Sequence, residues 1–138
     1  MGRGKMDWQA CIRQRLVKGV KKDEHIITAI RAIADAKIRS AAALPDEFFI
    51  GKITLLYDAL REILESIALG NGFKVYNHEC YAAFLKEIMK CSREADAFDS
   101  LRKIRNGINY YGKAIRDDEA NQVIADLQAL IKQMRERN

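Results

Sequence analysis

Residues 49–69, FIGKITLLYDALREILESIAL, decide the fold. Phe49, Ile53, Leu56, Leu60, Ile63 and Ile67 recur in steps of four, three, four, three and four, the spacing that lines side chains along one face of an α-helix. A stripe sustained over five steps is the clearest heptad-like pattern in the chain and reads as the spine of a bundle. Its ends are marked. Pro45 stops the preceding helix and, with Asp46 and Glu47, suits the positive end of a new one, while Gly70-Asn71-Gly72 supplies residues that accept left-handed backbone angles after Leu69.

Working outward, Asp23 is placed to cap a helix running to about Leu44, with the stripe Ile27, Ile30, Ala34, Ile38 and Ala41. A first helix is expected from Asp7 to Val20 on Trp8, Ile12 and Leu16, with Gly19 at its end. On the other side, Phe73 to Tyr76 is too short and isolated to argue for a sheet. Asn77 is expected to cap a helix to about Cys91 whose inner residues are Tyr81, Phe84, Leu85 and Ile88. His78 is read first as part of that cap or as solvated, with a displaced catalytic base as the alternative. Asp117-Asp118-Glu119 opens the last helix, with a core stripe of Ala120, Val123, Leu127, Leu130 or Ile131, and Met134. The sum is one all-α domain over residues 1–138, an antiparallel bundle of five to six helices.

A length of 138 residues, 49% of them hydrophobic, suits one self-sufficient core. The three cysteines, Cys11, Cys80 and Cys91, form no CxxC pair, and an odd number does not complete an intrachain disulfide framework. They are expected to be reduced, Cys11 and Cys80 as small core residues, in a cytoplasmic protein. His78 and Cys80 have no second pair at zinc spacing, so neither metal nor cofactor is expected. No apolar run is long enough to span a bilayer, and no membrane partner is expected.

The net charge of +5 is unevenly placed: residues 1–22 hold seven Lys/Arg against Asp7. A second basic region lies in FDSLRKIRNGINYYGKAIR, residues 98–116. Phe98, Leu101, Ile104, Ile108, Tyr111 and Ile115 are expected to face the core, and Arg102, Arg105, Asn106, Asn109 and Lys113 to form a second face, with Tyr110 further round. From Leu101 to Arg116 there are five basic residues and no acidic one, which marks an anion-facing surface. Interleaved Asn and Tyr add hydrogen bonds and aromatic planes suited to nucleic-acid bases.

The string RNGINYYG, late in a small helical chain, resembles the motif of the HEPN superfamily (higher eukaryotes and prokaryotes nucleotide-binding), and residues 72–84, GFKVYNHECYAAF, resemble the segment that precedes it. In this likeness Arg105 matches the family's Arg, Asn106 its polar follower, and Tyr110 stands where the nearest His belongs. The resemblance implies a HEPN-like bundle, a homodimer that pairs two motif helices, and RNA or nucleotide as ligand. It further implies Arg105, Asn106 and Tyr110 as candidate catalytic residues; the basic face itself gives Arg102, Arg105, Asn109 and Lys113 as candidate binding residues. With tyrosine in place of histidine, metal-independent endoribonuclease activity is expected to be weak or absent, because an unperturbed phenol with a pKa near 10 is a poor base at neutral pH. The alternative is an interaction subunit of a two-component, toxin–antitoxin-like system with a nucleotidyltransferase partner.

Overall fold

The computed structural model describes residues 6–111 and 114–137, with Asn109, Tyr110 and Tyr111 described as backbone only. It is an all-α bundle of six helices with one short two-stranded ribbon. The helices are α1 Trp8–Arg13, α2 Glu24–Ala43, α3 Phe49–Gly70, α4 Glu79–Ala83, α5 Ser92–Tyr111 and α6 Asp117–Arg135; α4 continues as a π-helical turn, Phe84–Ile88.

Helix α3 is the spine that its stripe predicts. Ile53, Leu56, Leu60, Ile63 and Ile67 are all buried, with α2 and α6 packed against them. Burying side chains of this size stabilises the fold by about 1.5–3 kcal/mol each, as an upper estimate. Ala34 and Ala41 of α2 are buried, and α6 presents Ala120, Val123, Leu127, Leu130, Ile131 and Met134 to the core. The caps follow the sequence in part. Asp23 Oδ1 accepts from the backbone N–H groups of His25 and Ile26, and Asn77 Oδ1 accepts from Glu79 N at 2.8 Å. Pro45, however, precedes a turn, and α3 starts only at Phe49.

Four expectations are corrected. Helix α1 stops at Arg13 instead of Val20: Arg15 adopts a left-handed φ of 59°, Arg15 N bonds to Ile12 O, and Leu16 N bonds to Cys11 O. These are the paired bonds of a Schellman cap, made here without the glycine that usually signals one. The chain released at Leu16 then forms β1, Val17–Gly19, which pairs antiparallel with β2, Phe73–Val75, so residues 73–75 are a strand after all. Cys11 and Cys80 are joined by a disulfide that ties α1 to α4, leaving buried Cys91 as the free thiol.

The fourth correction matters most. Helix α5 begins six residues before Phe98, and its buried arc is rotated from the expected one. Phe98 and Leu101 are in the core, but Ile104 is 39% exposed, whereas the side chains of Arg102 and Arg105 are only 15% and 17% exposed. At about 100° per residue, a seven-residue step returns to within about 20° of its start, so Arg105 lies almost directly along the helix from Phe98, and Arg102 is about 40° away. The two arginines therefore turn inward, towards α3.

Candidate functional site

The inward arginines meet a polar cluster built on α3. Tyr57, fully buried, stacks on Phe98 with ring centroids 5.9 Å apart, and the Arg105 guanidinium lies over the Tyr57 ring at 5.1 Å from its centroid. Phe98 and Arg105 thus reach the same tyrosine because they are one heptad apart on one face. The Tyr57 hydroxyl is 3.2 Å from His78 Nδ1, which fixes the imidazole at the entrance to α4. His78 occupies the N-cap position of α4, as expected, but its side chain makes no capping hydrogen bond and turns to Tyr57 instead. Its ring also stands 6.3 Å from that of Tyr81, which in turn meets Phe98 edge to face.

Charges surround this aromatic core. Arg105 Nη2 is 3.7 Å from Asp58 Oδ1, a loose ion pair, and its buried Nε has no hydrogen-bond partner among the described residues. Arg102 donates through Nε and Nη2 to one oxygen of Asp99, at 3.2 and 2.9 Å, and Lys103 reaches the other at 3.3 Å. Arg61 pairs with Glu65 at 3.4 Å, and Lys74 of β2 pairs with the same carboxylate at 3.0 Å. From α2, Lys37 bonds Glu62 at 3.0 Å and lies 3.9 Å from Asp58. In these pairs among the described residues, six cations, Lys37, Arg61, Lys74, Arg102, Lys103 and Arg105, stand against four carboxylates, Asp58, Glu62, Glu65 and Asp99.

Burial dominates the titration of the groups enclosed here, and the surrounding charges add to it or oppose it. Burial, reinforced by the fields of Arg61, Arg105 and Arg102 and opposed by Asp58, pushes His78 down from 6.5 to about 4, so the imidazole is neutral at physiological pH. Burial pushes Tyr57 up to about 12 against the pull of the same three arginines, so it remains a phenol. Burial also raises Tyr81. For Asp99, burial works to raise the carboxyl, but hydrogen bonds from Arg102 and Lys103 outweigh it and hold the group below its ordinary value.

Of the residues singled out in the sequence, Arg102 and Arg105 enter this cluster from α5. Asn106 is half-buried on the same helix and makes no side-chain hydrogen bond among the described residues. Asn109 and Tyr110 lie within the backbone of α5, but their side chains fall outside the described residues, as does all of Lys113. Sequence reasoning missed Tyr57, Asp58 and Arg61, polar members of the α3 spine, and set His78 aside. One signal was available: Tyr57, Asp58 and Arg61 follow the three- and four-residue spacing of a single helical face, adjoining the apolar stripe. No family model, curated protein or solved structure matches the chain. What the cluster can do follows from its own geometry: it offers guanidinium donors to an oxyanion beside a neutral imidazole.

Proposed function

We propose that the protein is an RNA- or nucleotide-binding helical domain of HEPN-like type, dimeric, with weak or absent metal-independent RNase activity. Its phosphate site would be the cluster of Arg61, Arg102 and Arg105. One observation carries this reading: Arg105 has five N–H donors, a partner carboxylate only at 3.7 Å, and no hydrogen bond among the described residues. Unpaired buried donors are costly, about 1–3 kcal/mol each, and a phosphate oxygen is the kind of acceptor that matches a guanidinium fork.

The test is RNA and nucleotide affinity, measured by fluorescence anisotropy across a salt series, for the parent and for Arg105→Lys. Lysine keeps the charge and the stem but not the fork, so affinity is expected to fall about tenfold while helicity is retained. Affinity in the parent should also fall as salt rises, through counterion release. An Arg105→Lys protein that is folded and binds like the parent would overturn the assignment.

A second reading, an interaction subunit with a nucleotidyltransferase partner, draws on a different feature. Ile26 and Ile33 of α2, one heptad apart, are 51% and 50% exposed, with half-buried Ile30 between them. An outward apolar row of this kind suits a protein surface, whether a second copy or another chain. Light scattering of the purified protein separates the two: a dimeric mass supports the homodimer, and a monomer that gains mass only with the nucleotidyltransferase supports the second reading.

A further inference from the structure

The imidazole of His78 is held in a manner that serves two protonation states. A phenol kept protonated by burial donates to Nδ1 when that nitrogen is bare, and accepts from it when it carries a proton, by turning its O–H. Protonating His78 therefore breaks no hydrogen bond. Among the described residues, the groups that act on it are Tyr57, Asp58 and Arg61 from α3, Arg102 and Arg105 from α5, and Tyr81 from its own helix. Three of the six are guanidiniums and one is a carboxylate, so what opposes a proton here, besides burial, is a positive field that a bound anion would cancel.

We propose that the cluster is a proton-coupled oxyanion site, in which His78 takes up a proton from solvent when a phosphate-like dianion is seated among Arg61, Arg102 and Arg105. This rests on the anion-binding reading above and adds to it the identity of the proton-accepting residue and the coupling. The step forms one N–H bond on the imidazole at the expense of a hydronium ion, and needs no other reactant. Empty, the site holds a ring that takes a proton only near pH 4; filled, the ring takes it at a higher pH, and the imidazolium then makes a further ion pair with the ligand. By reciprocity, the factor by which the anion favours the protonated ring is the factor by which the proton favours the anion. A residue so switched would be supplied as an acid only while a phosphoryl group is present.

Sulfate is the probe, because its charge stays at −2 across the neutral and mildly acidic range and no titration of the ligand overlaps that of the protein. The Cε1–H resonance of His78 is followed by NMR in chloride and in saturating sulfate, with exposed His25 as internal reference. In chloride the ring should titrate near 4. In sulfate its midpoint should rise by at least about one unit, a tenfold effect. For a midpoint raised from about 4 to about 5, sulfate affinity should correspondingly increase about twofold as the pH falls from about 7 to about 5 in the parent, approaching the full factor only below the empty-site midpoint, and should be nearly independent of pH over that range in His78→Gln. Sulfate that binds, as shown by loss of binding in Arg105→Gln, yet leaves the His78 midpoint in place overturns the coupling while leaving the anion site standing. Absence of sulfate binding at every pH removes both.

Discussion

The depressed pKa of His78 makes the stability of the fold depend on pH in a defined direction. In the unfolded chain the imidazole titrates near 6.5 and in the fold near 4, so between these values the unfolded chain holds a proton that the folded chain does not. Lowering the pH therefore favours unfolding: stability has its full value above the unfolded pKa and declines as the pH drops through 6.5 towards 4. The full shift corresponds to about 3 kcal/mol at 1.36 kcal/mol per unit. His78 is only half-buried, and screening by solvent reduces this to about 2 kcal/mol. Most of it, about 1.5 kcal/mol, is lost between about pH 7 and about pH 5, because the unfolded chain titrates at the top of the window.

The perturbation is His78→Gln, which retains a polar partner for the Tyr57 hydroxyl and removes the titration. Urea unfolding is measured at both pH values in chloride buffers of equal ionic strength. With a slope of about 1.5–3 kcal/mol per molar, the parent midpoint should fall by about 0.5–1 M more than that of the variant. Asp99 does not confuse the comparison. Its folded pKa is lowered, so its contribution is kept above the ordinary carboxylate range and is lost only as the pH falls below that range, beneath this window. Equal acid sensitivity in parent and His78→Gln would refute the placement of a neutral, enclosed imidazole against Tyr57.

Two further predictions concern α1. Arg15 occupies a left-handed backbone conformation that costs a non-glycine residue about 1–2 kcal/mol, so Arg15→Gly should raise the urea midpoint by the equivalent of about 0.5–1 kcal/mol after the glycine's greater unfolded entropy is deducted; a lowered midpoint would count against the Schellman cap. The Cys11–Cys80 bridge spans 69 residues of sequence, and closing a loop of that size restricts the unfolded chain, so reduction, or Cys11→Ala with Cys80→Ala, should destabilise by about 2–4 kcal/mol. Because all three cysteines are buried in the fold, thiol counting in denaturant under non-reducing conditions gives the direct check: one free thiol, Cys91, is expected, and three would refute the bridge.

How much of this was legible in the sequence depended on whether the signal was local. The stripes of α3 and α6 and the cap at Asp23 follow from repeats of three and four and from one short side chain, and the structure retains them. The end of α1 was not legible because the residue that turns the chain is Arg15 and not Gly19, so neither the cap nor the strand it frees carries its usual sign. The inward face of α5 was hidden differently. Arg105 is one heptad from Phe98, but Ile104 and Ile108 offer a competing apolar stripe that points to a neighbouring arc. His78 could not be placed at all from its neighbours, because its partner Tyr57 is 21 residues away and belongs to another helix.

That misplaced face also supplies the strongest reason to connect the cluster with function. Positions 102 and 105 lie on the same arc of α5 as Phe98, facing Tyr57 on the spine, where leucine or methionine would pack without desolvating a charge. Two guanidiniums there require compensation, and it is uneven: Asp99 and Lys103 complete a tight set around Arg102, whereas Arg105 receives a distant carboxylate and an aromatic face worth about 0.5–2 kcal/mol. A core selected for stability alone would either replace Arg105 or satisfy it. Retaining it half-satisfied leaves donor capacity on one side of Tyr57 and a neutral histidine at its hydroxyl, and this pairing is what the proposed oxyanion site rests on.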